Sequence, residues 1–167
     1  PRDHFGRGGR VPEDRLEQPQ ELAHIIAMVA LYRPGPLEFI PPYIRRMHGE
    51  ERPTYLHPSL EDIFGDTFGI PIYQEQIMFA AIKLAGYTAS EADDLRKAIS
   101  KKQKEKLEKH KARFVKGAVE RGIEPQDADA IFADWEEFAR YGFNKSHAAN
   151  YGVIAVQTAY LKCHYTV

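Results

Sequence analysis

Asn144-Lys145-Ser146-His147 places four polar side chains in a row at the start of a long helical pattern, inside the stretch RYGFNKSHAANYG (140–152). Ser146 stands where an N-cap residue belongs. A helix start presents unpaired backbone N–H groups and a partial positive charge, which together suit phosphate oxygens. Lys145 adds a full charge, while His147 and Asn144 add donors that can orient a phosphate, a sugar or a base. The same residues also describe a capped helix with exposed polar neighbours, and composition alone leaves both readings open. Behind them, Ala148, Gly152, Ala155 and Ala159 form a stripe of small residues that would let another backbone approach and hold the helix start in place.

A second group of cations lies between Arg96 and Lys116, in RKAISKKQKEKLEKHKARFVK. Arg96-Lys97 closes a helix before a Ser100-Lys101-Lys102 turn, so cations converge on a bend, an arrangement suited to a compact polyanion such as a triphosphate. Lys102, Lys106, Lys109, Arg113 and Lys116 then recur at 4-3-4-3 spacing along one helical face. Such a stripe is the footprint of a nucleic-acid backbone partner, or else an ordinary solvated face. The bend YRPGP (32–36) holds Arg33 on a rigid interhelical turn. YQEQ (73–76) places Glu75 where a helix dipole favours it and glutamines where they can bond to neighbours, a structural arrangement.

The acidic pairs Glu61-Asp62, Asp93-Asp94 and Glu136-Glu137 are adjacent helical residues that point apart, so none makes a two-metal site. No phosphate-binding glycine loop, nucleophile elbow or zinc-ligand spacing occurs. Cations without clustered carboxylates describe a binding surface rather than a complete catalytic centre, and we expect neither catalytic nor metal-ligating residues in this chain.

The elements that must position these residues read as helices. The chain has 167 residues, a formal charge of −1 and 43% apolar residues, enough for one ordinary core. Its single cysteine, Cys163, excludes an internal disulfide. No apolar run approaches the roughly 20 residues that span a bilayer, so no membrane association is expected. Helical periodicity covers 21–32, 74–86, a segment opened by the Thr88-x-x-Glu91 capping pattern, about 103–121, a segment opened by Pro125 with Ile131, Phe132, Trp135 and Phe138 on one face, and about 146–164. FGIPIY (68–73), interrupted by Pro71, reads as an extended connector. The expectation is an all-α, irregular multi-helix domain over 21–167 behind a flexible or poorly ordered lead-in over 1–20. An opening Pro and an apolar helix running almost to Val167 suggest a piece of a larger protein.

Four stretches carry a resemblance. ALYRPGPL (30–37), GIPIYQEQIM (69–78), AGYTASEADDLRKAISKK (85–102) and YGFNKSHAANYGVIAVQTAYLKCHY (141–165) closely resemble, in the same order, the alpha subunits of bacterial DNA polymerase III, the C-family replicative polymerases. The resemblance implies a fingers domain that closes over the incoming deoxynucleoside triphosphate (dNTP), within a DNA-directed DNA polymerase. It implies dNTP contacts from Arg96, Lys97, Asn144, Lys145, Ser146, His147 and Arg33, and DNA-backbone contacts from Lys101, Lys102, Lys106, Lys109, Arg113 and Lys116. Magnesium (Mg2+) would be held by palm carboxylates outside this chain. The implied partners are primer–template DNA, dNTPs, the remaining domains of the alpha subunit and replicase accessory subunits such as the sliding clamp, in a bacterial cytoplasm. Two positions depart from the family pattern: Ser100 stands where glycine is usual, and Lys97 where a second arginine is common. The alternative is a stand-alone helical nucleic-acid-binding module without polymerase activity.

Overall fold

The computed structural model of the chain describes residues 19–138 and 141–165, apart from the side chains of 137 and 138. The expected lead-in therefore lies, but for its last two positions, outside the described residues, as does the side chain of Phe138. Eight α-helices are described: α1 Leu22–Leu31, α2 Ile40–Met47, α3 Glu61–Phe64, α4 Gln74–Ala85, α5 Ala89–Ser100, α6 Lys104–Val119, α7 Pro125–Phe138 and α8 Lys145–His164. Short 3-10 turns cover Pro36–Phe39, Pro58–Leu60 and Gly65–Thr67. The all-α reading holds. The connector before α4 makes one isolated parallel bridge, Tyr73 with Phe143, and no strand among the described residues.

Local chemistry sets the boundaries. Arg33-Pro34-Gly35-Pro36 ends α1, with Gly35 at φ 104°, a conformation that other residues rarely adopt. Pro41 and Pro42 sit in the first turn of α2, where a missing N–H costs nothing. The Thr88 hydroxyl accepts from the Glu91 N–H at 3.2 Å, and the Glu91 carboxylate accepts from the Thr88 N–H at 2.7 Å, so the expected capping box starts α5.

Burial divides into two cores. The larger packs α4, α5, α6 and α7, and holds Ile77, Ala81 and Leu84 of α4 together with Leu95, Phe114 and Phe132. The Phe114 and Trp135 rings meet edge-on with centroids 4.6 Å apart. The smaller core joins α1, α2, Ile70, Ile72 and Tyr73 to Ala148 of α8. Of the small-residue stripe on α8, only Ala148 and Gly152 are buried; Ala155 and Ala159 are exposed. The reason is length: α1 has 10 residues against 20 in α8, so it covers only the early turns. No helix among the described residues is long and apolar enough to cross a membrane.

Helix α6 crosses the end of α4 at Gly117, where a Cβ would collide with the Ala85 carbonyl oxygen. Gly117→Ala should therefore cost about 1–3 kcal/mol in urea unfolding, as overpacking against backbone does. Gly65→Ala, with nothing within 4 Å of the new methyl group and φ −57°, should be neutral or mildly stabilising. Equal stability of the two variants would contradict the close crossing.

Candidate functional site

The first turn of α4 is the joint between the two cores. Gln76 is only 5% exposed. Its Oε1 accepts from the N–H groups of Ile72 and Tyr73, both at 2.9 Å, and its Nε2 donates to the Thr67 hydroxyl at 2.8 Å and the Ile63 carbonyl at 3.3 Å. The buried N–H groups of Ile72 and Tyr73 are thus satisfied by one side chain. Gln74 makes the next link: its N–H donates to the Phe143 carbonyl at 2.9 Å, and its Nε2 to the Gly142 carbonyl at 3.1 Å. Its Oε1 accepts from Nη1 of Arg96 at 3.4 Å. One amide therefore lies between Arg96 of α5 and the segment entering α8.

Glu75 makes the last link. Its Oε1 accepts from Asn144 Nδ2 at 2.9 Å, and both oxygens accept from the Lys145 N–H, at 3.1 and 3.0 Å. Asn144, not Ser146, is the N-cap of α8, its Oδ1 accepting from the His147 N–H at 2.8 Å. Two N–H groups that the sequence reading left open for phosphate are thus already engaged. Ser146 sits exposed inside the first turn. The Lys145 ammonium stands over the Tyr73 ring, 5.3 Å from its centroid. Burial, with Glu75 adding to it, pushes the Tyr73 hydroxyl upward, so the ring stays a neutral platform. The side chains of Lys145, Ser146 and His147 remain exposed at this helix start.

Asp93 engages both cations of the other corner. Its Oδ1 takes Arg96 Nη2 at 2.8 Å, and its Oδ2 takes Lys97 Nζ at 2.6 Å. Asp94 points away, to His110 at 3.2 Å and Lys106 at 3.4 Å. Lys97 and then Arg96 hold the Asp93 carboxyl below its usual range; His110 and then Lys106 do the same for Asp94. The turn beyond places Lys102 at φ 52°, before α6 begins, so Lys102 does not extend the α6 face. The Ser100 hydroxyl folds back to the Arg96 carbonyl at 2.9 Å.

Other expected residues are placed differently. Arg33 is half-buried: its Nε donates to the Ala30 carbonyl at 2.7 Å, its Nη2 to the Tyr141 carbonyl, and its guanidinium lies 4.5 Å from the Phe143 ring centroid. It ties the YRPGP bend to the segment entering α8. Arg113 reaches back to the Ala85 and Gly86 carbonyls at 3.1 and 3.3 Å, capping the end of α4. Lys101, Lys102, Lys109 and Lys116 are exposed and form no ion pair with described residues. Two features escaped the sequence reading. Glu75 as partner of the α8 start had no signal, because the pair is 69 residues apart. The aromatic row Phe143, His147 and Tyr151, with successive centroids 5.6 and 4.8 Å apart, was readable as residues four apart.

Comparison with known proteins supplies the setting. A family model described as the bacterial DNA polymerase III alpha subunit finger domain matches residues 15–122. The DNA polymerase III subunit alpha of Thermus aquaticus is 51% identical over 165 residues, covering 96% of this chain and 14% of the relative. That of Halalkalibacterium halodurans is 53% identical over 158 residues, covering 95% and 14%, and that of Rickettsia prowazekii 51% identical over 151, covering 90% and 13%. The chain thus spans about one-seventh of the length of these relatives.

The depressed Asp93 carboxyl has a consequence for stability. Its pairing contributes above the ordinary carboxylate value, weakens as pH falls below that value, and is gone once pH passes below the lowered one. Asp93→Asn should lower the urea midpoint slightly at neutral pH, and the gap to the parent chain should close in acid. A gap unchanged between about pH 7 and about pH 2 would contradict this role.

Proposed function

The chain belongs to the bacterial DNA polymerase III alpha-subunit finger-domain family, and from that premise we propose that it binds the triphosphate and base of an incoming dNTP during template-directed DNA synthesis by the longer protein. One observation carries the reading: Gln74 and Glu75, adjacent on α4, bond respectively to Arg96 and to the Asn144–Lys145 start of α8. Cations distant in sequence are thereby held at one corner. Arg96, Lys97 and Lys145 would neutralise phosphate charge, and Asn144, Ser146 and His147 would orient the nucleotide. Arg33 would act through the bend it braces. A phosphoryl-transfer protein works mostly by positioning and electrostatic stabilisation, and this corner offers both.

The exposed Lys101, Lys102, Lys109 and Lys116, with Lys106 beside them, would face the DNA backbone; Arg113 would support that face from within. The residues present do not fit the Mg2+ that a polymerase implies: Asp93 and Asp94 serve separate cation partners, and no cluster of three or more His, Cys, Asp or Glu among the described residues can hold a metal. Its ligands would be palm carboxylates elsewhere in the longer protein. Other domains of that protein and replicase accessory subunits would complete the set of partners, in a bacterial cytoplasm.

In the full-length alpha subunit, Lys145→Ala and Arg96→Ala should each raise the nucleotide KM roughly tenfold and lower the incorporation rate, the loss expected for a charge-assisted hydrogen bond. Wild-type kinetics in both variants would refute the assignment. For the DNA face, Lys109→Ala and Lys116→Ala should each flatten the log–log salt dependence of primer–template binding by about one unit. An unchanged slope would show these lysines to be merely solvated.

A further inference from the structure

Among the described residues, Glu75 is the one acidic residue bonded directly to the polar start of α8, and its three contacts are all at the surface. Exposed bonds of this kind add little to fold stability, because water replaces them. What they restrict is orientation. Glu75 fixes the Asn144 side chain and the Lys145 backbone together, and Asn144 in turn receives the His147 N–H. Gln74, one residue earlier on the same rigid turn, holds Arg96. The spacing between the Arg96 guanidinium and the side chains of Lys145 and His147 is therefore transmitted through two consecutive residues.

Resting on the nucleotide reading above, we propose that Glu75 is a positioning residue for the incoming nucleotide, holding the Asn144–His147 start of α8 in register with Arg96. It carries negative charge toward a corner that would receive a polyanion, an arrangement that electrostatics alone disfavours. The geometry explains its place: by taking the Lys145 N–H and the Asn144 amide, Glu75 leaves the Lys145 ammonium and the His147 ring as the groups presented outward. Lys145 is steadied separately by the Tyr73 ring. A phosphate would then meet side chains already set at a fixed separation, which reduces the ordering cost of binding.

The test uses the full-length alpha subunit, with single-nucleotide incorporation on primer–template DNA. Glu75→Ala should raise the nucleotide KM about tenfold, with DNA affinity and melting temperature unchanged. Glu75→Gln should recover part of the loss, since its amide oxygen can still accept the Lys145 N–H. Combining Glu75→Ala with Asn144→Ala should cost less than the sum of the two single losses, because the bond between them is lost in each. A fall in melting temperature or DNA affinity that accounts for the change would make the residue merely structural and overturn the inference, as would full additivity with Asn144→Ala. A wild-type KM for Glu75→Ala beside an impaired Lys145→Ala overturns this inference alone. Wild-type KM values in both overturn the nucleotide reading as well.

Discussion

Where two apolar cores meet, the backbone crossing between them loses water on both sides, and its N–H groups need partners inside the protein. Here the crossing is Ile72–Tyr73, and both N–H groups are accepted by one oxygen of Gln76. The other end of that amide is anchored by Thr67, whose hydroxyl donates onward to the Ile70 carbonyl at 2.7 Å. A closed network of this kind, buried and satisfied, admits few alternative arrangements. It fixes the direction in which α4 begins, and hence where Gln74 and Glu75 project. The candidate site inherits its geometry from that joint.

The charges at the corner are held by neighbouring groups. Arg96 and Lys97 share Asp93, Lys145 rests over an aromatic ring, and the α8 start is capped by Asn144 and Glu75. An arriving anion would exchange with or add to existing partners rather than meet bare cations. Such half-exposed pairs are individually weak, so exchange is inexpensive, while the geometry they maintain is retained.

The two cores divide the work. The larger, with its Phe114–Phe132–Trp135 ring cluster, supports α5 and α6, which carry Arg96, Lys97 and the basic face. The smaller supports α8 through Ala148 and Gly152 against α1. The corner lies on their boundary, at a turn that both cores constrain. The relatives in this family are much longer subunits, of which the chain matches about one-seventh.

Much was legible in the residues alone. Helical periodicity, the proline at a helix start and the Thr88–Glu91 box are local signals, each acting within a turn or two of chain, and they marked an all-α fold and the approximate extent of most helices. The four stretches ordered along the chain identified the family, and residue types around 96–102 and 144–147 identified cations without a catalytic carboxylate cluster. Tertiary structure alone decided which of those cations are committed elsewhere. Arg33 and Arg113 look as available in sequence as Lys109, yet they bond to backbone carbonyls contributed by distant segments. Ser146 looked like the cap, but Asn144 takes that place because Glu75 arrives from α4 to fix its amide. Pairings across tens of residues depend on how the cores pack, and no local pattern encodes that distance.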